Sequence, residues 1–95
     1  MVPNATRTRE IDGIEGWEIF ANLCKESFRA CDFQDQLIQA CNGHVDIAWV
    51  TFYHLGNQSI SWLHEHVPAL AGATPIALIM SGNADVVRNC LWRFP

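Results

Sequence analysis

The sequence predicts an all-α protein, a compact single-domain bundle of five or six short helices. Three observations support this fold class. Apolar residues recur at three- and four-residue steps along most of the chain. Capping and stop signals divide the chain into short segments. Apolar residues make up 49% of the 95 residues, which is enough for one modest core.

The first helix is predicted over residues 14–32, after a flexible arm at residues 1–13. The arm combines a proline with polar residues and charges of both signs, and it shows no apolar period. In the helix, Trp17 and Phe20 begin a run of apolar residues at helical spacing. We therefore divide the chain into this arm and a helical domain over residues 14–95.

The second and third helices are predicted over residues 33–41 and 44–56. Asp32 can cap the second helix, and the Asn-Gly pair at 42–43 can end it. The third segment is ambiguous, because its β-branched and aromatic residues favour a strand. Its length, its final glycine and its helical neighbours favour a helix, and we predict a helix there.

A fourth helix is predicted over residues 58–67, with Asn57 or Ser59 as its N-cap. Pro68 is expected to end this helix, because the residue before a proline avoids the helical region. The turn that follows contains Gly72, which adopts backbone conformations that other residues rarely reach.

The last two helices start at two further capping signals. Thr74 and Pro75 combine a hydroxyl N-cap with proline at the first helical position, and they begin a short apolar helix. Gly82 is expected to end that helix in the left-handed conformation. Asn83 is expected to cap the final helix, which is predicted over residues 84–94.

The distribution of charge argues against DNA binding. The formal net charge is −4, and no Lys or Arg occurs from Ala30 to Val87. Nucleic-acid binding needs cations directed at phosphates. A recognition helix in this range would have no cation with which to hold the phosphate backbone.

The composition predicts a cytoplasmic protein with reduced thiols. The N-terminal segment has no apolar region of the kind found in signal peptides, and no apolar run of about 18 residues occurs that could span a membrane. The cysteines do not form a paired C-x-x-C metal motif. We expect them to be buried thiols, at Cys24, Cys31, Cys41 and Cys90.

The sequence contains no recognisable catalytic or metal-binding constellation. His64 and His66 lie two residues apart, so on a helix their side chains point in different directions and cannot chelate one metal ion. No Gly-rich phosphate loop and no nucleophile elbow occur. The prediction is a protein that is not an enzyme and that has no metal or cofactor.

A defined order of features marks the second half of the chain. A Trp-Leu pair at 62–63 precedes a proline, a turn of small residues, a Thr-Pro helix start, a short aliphatic helix and a last helix with valines and a leucine. In this order and spacing, residues 48–94 resemble the toxin-binding domain of the Xre/MbcA/ParS antitoxin family. Ala71 and Gly72 stand where that family usually has two glycines. The positions that carry the motif are Leu63, Leu70, Gly72, Thr74, Pro75 and Leu78.

The resemblance implies an antitoxin of a bacterial type II toxin–antitoxin pair. The partner in that family is usually a RES-domain toxin, or a related ADP-ribosyltransferase-like enzyme, that uses NAD. The helical C-terminal domain of the antitoxin docks on the toxin and blocks its active site. Many members also carry a helix-turn-helix, bind their own promoter and dimerise. Because residues 14–56 are short and acidic for a DNA reader, a stand-alone toxin binder fits this sequence better, with a homodimer left open.

The predicted partner-binding residues lie mainly on the last helix. Few charges, with Trp and Arg retained, are typical of the core of an interface, and these two residue types often dominate binding energy. A further hypothesis is that Arg93 and Pro95 enter the active site of the toxin. Core packing is the alternative for Trp62, and favourable placement at a helix C-terminus is the alternative for Arg88. The full predicted set is Trp62, His66, Arg88, Leu91, Trp92, Arg93, Phe94 and Pro95.

Two other functions are alternatives. A phage-borne anti-defence inhibitor or adaptor would also act by protein–protein binding and would share the small, acidic character of this chain. A small-ligand-binding helical protein would use a pocket lined by Trp, His and Cys. Neighbouring genes separate the first alternative from an antitoxin, and a thermal shift with metals or nucleotides tests the second.

Overall fold

The computed structural model describes the backbone of residues 4–94 and the side chains of residues 16–94. Within this part of the chain there are six α-helices, two short 3-10 turns and no strand, which confirms the predicted all-α bundle. None of the described helices is both long and apolar enough to cross a membrane. The helices are α1 (Asn4–Phe28), α2 (Gln34–Ala40), α3 (Val45–Leu55), α4 (Ser59–Leu63), α5 (Pro75–Met80) and α6 (Ala84–Trp92), and the 3-10 turns are Gly56–Gln58 and Pro68–Leu70.

Helix α1 starts earlier and ends earlier than the sequence predicts. It begins at Asn4, inside the region predicted as an arm, and no proline after Pro3 interrupts its hydrogen bonds. It ends at Phe28, and the chain continues in tight turns through Cys31. Residues 1–3 lie outside the described residues, and the flexibility of the arm stays a prediction.

The core forms where α1 packs along α3. On α1 the buried residues recur at steps of four, three and four, so they occupy one face of the helix. Helix α3 also contacts α2, α4 and α6. Burial of each large aliphatic side chain stabilises the fold by about 1.5–3 kcal/mol. The core residues of these two helices are Trp17, Ala21, Cys24 and Phe28 on α1, and Ile47, Ala48, Val50 and Thr51 on α3.

The ambiguous third segment is a helix, and the strand alternative is wrong. Ile47 and Thr51 lie one turn apart with Val50 between them, so the buried positions follow a helical repeat. The central position of α3 explains its strand-like composition. Because several helices cover it, most of its positions favour apolar residues whatever their β propensity.

The start of α2 differs from the prediction, and its end agrees with it. Asp32 does not cap the helix; the N-cap position is Phe33, and no side chain caps there. Instead, Gln34 Nε2 donates to the Phe28 carbonyl at 3.0 Å and joins the end of α1 to the start of α2. At the other end, both residues of the Asn-Gly pair at 42–43 have positive φ, which confirms the predicted stop.

Helix α4 is shorter than predicted and ends before Pro68 can act on it. Neither predicted cap is in place, because the N-cap position is Gln58 and no side chain caps there. Ser59 is buried, and its hydroxyl donates to the Gly56 carbonyl at 2.6 Å. After the helix, tight turns bring the chain to an extended Val67, so local turn formation ends α4.

The turn between α4 and α5 is closed by backbone hydrogen bonds at Val67. Its amide donates to the Ala73 carbonyl at 3.1 Å, and its carbonyl accepts from the Gly72 amide at 3.0 Å. Ala71 and Gly72 have φ of 57° and 84°, both in the left-handed region. Gly72 adopts this conformation without a steric cost, whereas Ala71 carries a strained backbone.

The capping signals around α5 are largely confirmed. Thr74 Oγ1 accepts a hydrogen bond from the Ala77 amide at 3.2 Å, which makes Thr74 the N-cap. Gly82 has φ of 86° and follows the end of the helix as predicted. Asn83 occupies the N-cap position of α6 but makes no capping hydrogen bond, and α6 ends at Trp92. The remaining motif residues are packed inside, with Leu63, Leu70 and Pro75 buried and Leu78 half-buried.

We expect Ala71→Gly to stabilise the fold by about 0.5–1 kcal/mol. A non-glycine residue in the left-handed region costs about 1–2 kcal/mol, and the greater backbone entropy of glycine in the unfolded chain offsets part of this gain. Ala69→Gly is the matched control, since Ala69 is exposed in the preceding 3-10 turn and has no positive φ. Urea denaturation measures the free energy of unfolding of both variants. An Ala71→Gly variant less stable than the wild type would contradict the backbone strain at Ala71.

Candidate partner-binding surface

A partly buried polar network joins α1, α3 and α6 through the carboxylate of Asp46. Arg88 on α6 donates from Nε to Asp46 Oδ2 at 2.7 Å and from Nη2 to Asp46 Oδ1 at 3.2 Å. Trp17 on α1 donates from Nε1 to Asp46 Oδ2 at 2.8 Å. The two-point contact of a guanidinium with a carboxylate fixes both distance and orientation. We call this set the Arg88 network.

Two further groups complete the Arg88 network. Nη1 of Arg88 donates to Asp85 Oδ1 at 2.8 Å. Nη2 lies 3.1 Å from His44 Nδ1. Because arginine can only donate, His44 Nδ1 must accept, which places the proton of the neutral ring on Nε2. The guanidinium of Arg88, predicted as a partner contact, is therefore engaged within the chain, and its side chain is only 23% exposed.

The electrostatics of the network favour its charged form. Burial would raise the pKa of Asp46, but hydrogen bonds from Arg88 and Trp17 and the charge of Arg88 outweigh burial and lower it. The hydrogen bond to Asp46 is the main reason that the pKa of Arg88 is raised. The pair is therefore ionised at neutral pH and acts as a structural tie.

An aromatic cluster lies where α1, α3 and the end of α6 meet. The Phe20 ring contacts Tyr53 and Trp92 edge-on, with centroids 5.7 and 5.8 Å apart, a favourable geometry for aromatic pairs. The Trp92 ring also lies over Gly16, where a Cβ atom would come within 3.1 Å of it. Trp92 thus packs the end of α6 against α1.

The outer side of this cluster is an exposed apolar surface. Ile19 and Leu23 lie one turn apart on α1, beside Phe20, and they are 65% and 69% exposed. Tyr53 and Trp92 border Phe20 and are 53% and 44% exposed. Apolar exposure of this kind on a small protein makes these residues a candidate contact site. We call these five residues the Phe20 surface: Ile19, Phe20, Leu23, Tyr53 and Trp92.

Two of the predicted partner-binding residues are core residues. Leu91 is fully buried, and Trp62 is only 7% exposed. Phe94 covers Trp62 edge-on, with ring centroids 5.6 Å apart. Core packing, the alternative given for Trp62, is therefore what the structure shows, and burial leaves almost none of Trp62 and none of Leu91 at the surface.

The other predicted residues fall into separate places. Trp92 belongs to the aromatic cluster described above, and Phe94 packs on His54, with ring centroids 4.9 Å apart. His66 is exposed in the turn before α5, where its Nδ1 donates to the Gly72 carbonyl at 2.8 Å. Arg93 is exposed at the C-cap of α6. Pro95 lies outside the described residues.

Four residues of the Phe20 surface are absent from the predicted contact set: Ile19, Leu23, Phe20 and Tyr53. The signal that could have found the first two is an excess of apolar residues on α1. One face of that helix already buries four residues, so two more apolar positions on another side cannot share the same core. Tyr53 carries no comparable signal, because its exposure depends on how α1 crosses α3.

No metal or thiol chemistry is evident at this surface. In the described part of the chain, no three His, Cys, Asp or Glu side chains are arranged to hold a metal ion. Burial raises the pKa of Cys24 to about 11 and of Cys41 to about 12, so both thiols stay protonated and unreactive. Burial also raises the pKa of Cys31 and Cys90.

A scan of family models, a search of curated proteins and a search of solved structures each give no match for this chain.

The side chains of the Phe20 surface are suited to contact with another molecule. It offers aromatic rings and aliphatic side chains, and none of its five residues carries a charge. Surfaces of this composition bind other macromolecules by excluding water.

We expect Asp46→Asn to lower the free energy of unfolding by about 1–3 kcal/mol at neutral pH, because it weakens the charged hydrogen bonds from Arg88. Asp85→Asn is the matched control. Asp85 also accepts from Arg88, but its side chain is 94% exposed, so its loss should cost less than about 0.5 kcal/mol. Urea denaturation measures both, and equal effects of the two variants would contradict the structural tie.

The effect of Asp46→Asn should depend on pH with a definite sign. The pKa of Asp46 is lowered on folding, so its contribution is complete above its ordinary value of 3.8 and is lost as the pH falls through the lowered value. The stability difference between wild type and variant should stay constant from about pH 7 to about pH 5 and shrink below about pH 4. A difference that grows on acidification would exclude this role.

Proposed function

We propose that this chain is an antitoxin that binds an NAD-using toxin of the RES or ADP-ribosyltransferase-like type and blocks its active site. It acts by binding alone, without catalysis and without a cofactor, in the cytoplasm of a bacterium. The observation that carries the proposal is the Phe20 surface, an uncharged apolar patch at the junction of three helices. The choice of a toxin as the partner comes from the family resemblance of residues 48–94.

The composition of the Phe20 surface suits a protein partner. Trp and Tyr are the residue types, with Arg, that most often contribute 2 kcal/mol or more, roughly, to an interface. Trp92 and Tyr53 are held edge-on against Phe20, so little side-chain freedom is lost when a partner covers them. Arg93, exposed on the same helix as Trp92, offers one cation near this surface for an acidic group of the partner.

The backbone of the motif supports the resemblance to the antitoxin family. Ala71 and Gly72 stand where that family usually has two glycines, and both have positive φ here. A left-handed conformation at both positions is the physical reason for glycine there. Thr74 and Pro75 start α5 as an N-cap and first helical residue, which is the role expected of the Thr-Pro pair.

The proposed contact set differs from the one read from the sequence. Trp92, Ile19, Leu23 and Tyr53 meet the partner directly, with Arg93 at the edge. Trp62 and Leu91 contribute by packing the core on which α6 lies, and Arg88 contributes by tying α6 to α3. Removal of residues 92–95 would strip two aromatic rings from the fold, so single exposed substitutions are the better test.

The experiment that tests the proposal is co-expression of this chain with the product of the adjacent gene, scored by growth, cellular NAD and co-purification. Rescue of growth and NAD together with a stable complex supports the antitoxin. A harmless neighbour that does not bind, in a region of phage genes, favours the alternative of an anti-defence inhibitor that uses the same surface. Neither an antitoxin nor an anti-defence inhibitor of this kind needs to bind DNA.

We expect Leu23→Glu to weaken binding of the toxin at least about 30-fold, which corresponds to about 2 kcal/mol at an interface hot spot. Leu23 is exposed, so the melting temperature should change little. Met80→Glu is the matched control, since Met80 is 55% exposed on α5 and is not one of the five residues of the Phe20 surface. Titration calorimetry measures both, and a larger loss for Met80→Glu would move the proposed interface to α5.

A further inference from the structure

The imidazole of His54 is enclosed by aromatic rings from three parts of the chain. Its centroid lies 5.8 Å from Phe20 on α1, 5.3 Å from Tyr53 on α3 and 4.9 Å from Phe94 after α6. Its Nε2 atom is buried and has no hydrogen-bond partner among residues 16–94. A buried polar atom left without a partner destabilises the fold, because it has lost its hydration and gained no hydrogen bond in return.

The surroundings of His54 contain little that could balance a charge. From α1 it meets Phe20, from α3 Tyr53, and from the α6 side Phe94 and the backbone of Leu91; Tyr53 is the one titratable side chain among these contacts. No ion pair of the described residues includes His54. Arg93, next to Phe94 in the chain, is exposed. Burial lowers the pKa of His54, and the Leu91 backbone opposes this shift only in part.

The three rings around His54 are held with unequal strength. Phe20 is inside α1, and Tyr53 is inside α3. Phe94 lies two residues beyond the end of α6. Among the described residues its backbone amide donates one hydrogen bond, to the Leu91 carbonyl at 3.2 Å, and its ring is held by packing on His54 and Trp62. Of the three rings that form the wall around His54, that of Phe94 can therefore move away most easily when the imidazole becomes hydrated.

We propose that His54 and Phe94 form a proton-controlled latch: Phe94 closes over the neutral imidazole and Trp62, and protonation of His54 releases it. The imidazolium carries a second N–H donor and a charge, and the buried Nε2 atom needs water to solvate them. Displacement of Phe94 admits that water and uncovers one side of Trp62, which Phe94 now covers edge-on.

The direction of the pH effect follows from linkage. Because folding lowers the pKa of His54, the closed state is fully favoured above the ordinary value of 6.5 and loses its advantage as the pH falls through the lowered value. Attraction between a cation and aromatic rings works in the opposite direction and would keep the protonated ring enclosed. The latch requires that desolvation outweigh this attraction.

The latch is a property of the free chain, and only its effect on a partner rests on the function proposed above. Phe20 belongs both to the wall around His54 and to the Phe20 surface. Opening of the latch would loosen the packing beneath Trp92 and Tyr53 and weaken binding of the partner in acid.

The test is an NMR titration of the isolated full chain between about pH 8 and about pH 5, across the ordinary pKa of histidine. It follows the His54 ring protons together with the nuclear Overhauser contacts between the Phe94 and Trp62 rings. We expect His54 to titrate below 6.5 and the Phe94–Trp62 contacts to disappear in step with it. Contacts that persist after His54 is protonated, or a His54 pKa at or above the ordinary value, would overturn the latch.

Two variants separate the latch from general acid sensitivity. In Phe94→Ala the wall is missing, so the measured pKa of His54 should rise towards 6.5; an unchanged value would exclude Phe94 as the wall. In His64→Gln an exposed histidine is removed, and the titration of the Phe94–Trp62 contacts should be the same as in the wild type. Loss of the pH response in His64→Gln would assign it to His64 and overturn the proposal. None of these results depends on a toxin.

Discussion

The ion pair between Asp46 and Arg88 is the constraint on which the rest of the structure depends. Its two-point contact fixes α6 against the start of α3, and the indole N–H of Trp17 brings α1 to the same carboxylate. Arg88 lies one helical turn before Trp92, so the pair also sets where that tryptophan meets α1. A chain with few charges thus uses one of its few cations to align the three helices that build its exposed surface.

The aromatic cluster joins the three helices aligned by the Arg88 network to the surface proposed to bind a partner. Phe20 faces the exposed side through Tyr53 and Trp92 and the inner side through His54. Aromatic pairs of this edge-on kind stabilise by about 0.5–1.5 kcal/mol beyond burial, so the rings of Phe20, Tyr53 and Trp92 restrain one another. A rigid apolar surface is suited to tight binding, because little conformational entropy is lost on contact.

Features that depend on neighbours along the chain were predictable from the sequence. Features that depend on packing between helices were not. Thr74 acts as predicted because capping needs only neighbours in the chain, whereas Asp32 fails because the α1–α2 junction is joined by a different side chain. At the candidate surface, the sequence selected Trp92 on the last helix, and its contact with a partner stays a prediction. It could not tell that Leu91 is buried and Ile19 exposed, because periodicity shows that a helix has faces but not which neighbour covers each one.

The Arg88 network also bears on the rates of folding and unfolding. Asp46 is 29 residues from Trp17 and 42 residues from Arg88 along the chain. Local helices and the α5–α6 hairpin close short loops, whereas these contacts close long ones, which slows their formation in the search for the native state. Interactions completed after the transition state act mainly on the unfolding rate. An ion pair that forms this late would govern how long the native chain persists between openings more than how quickly it is reached.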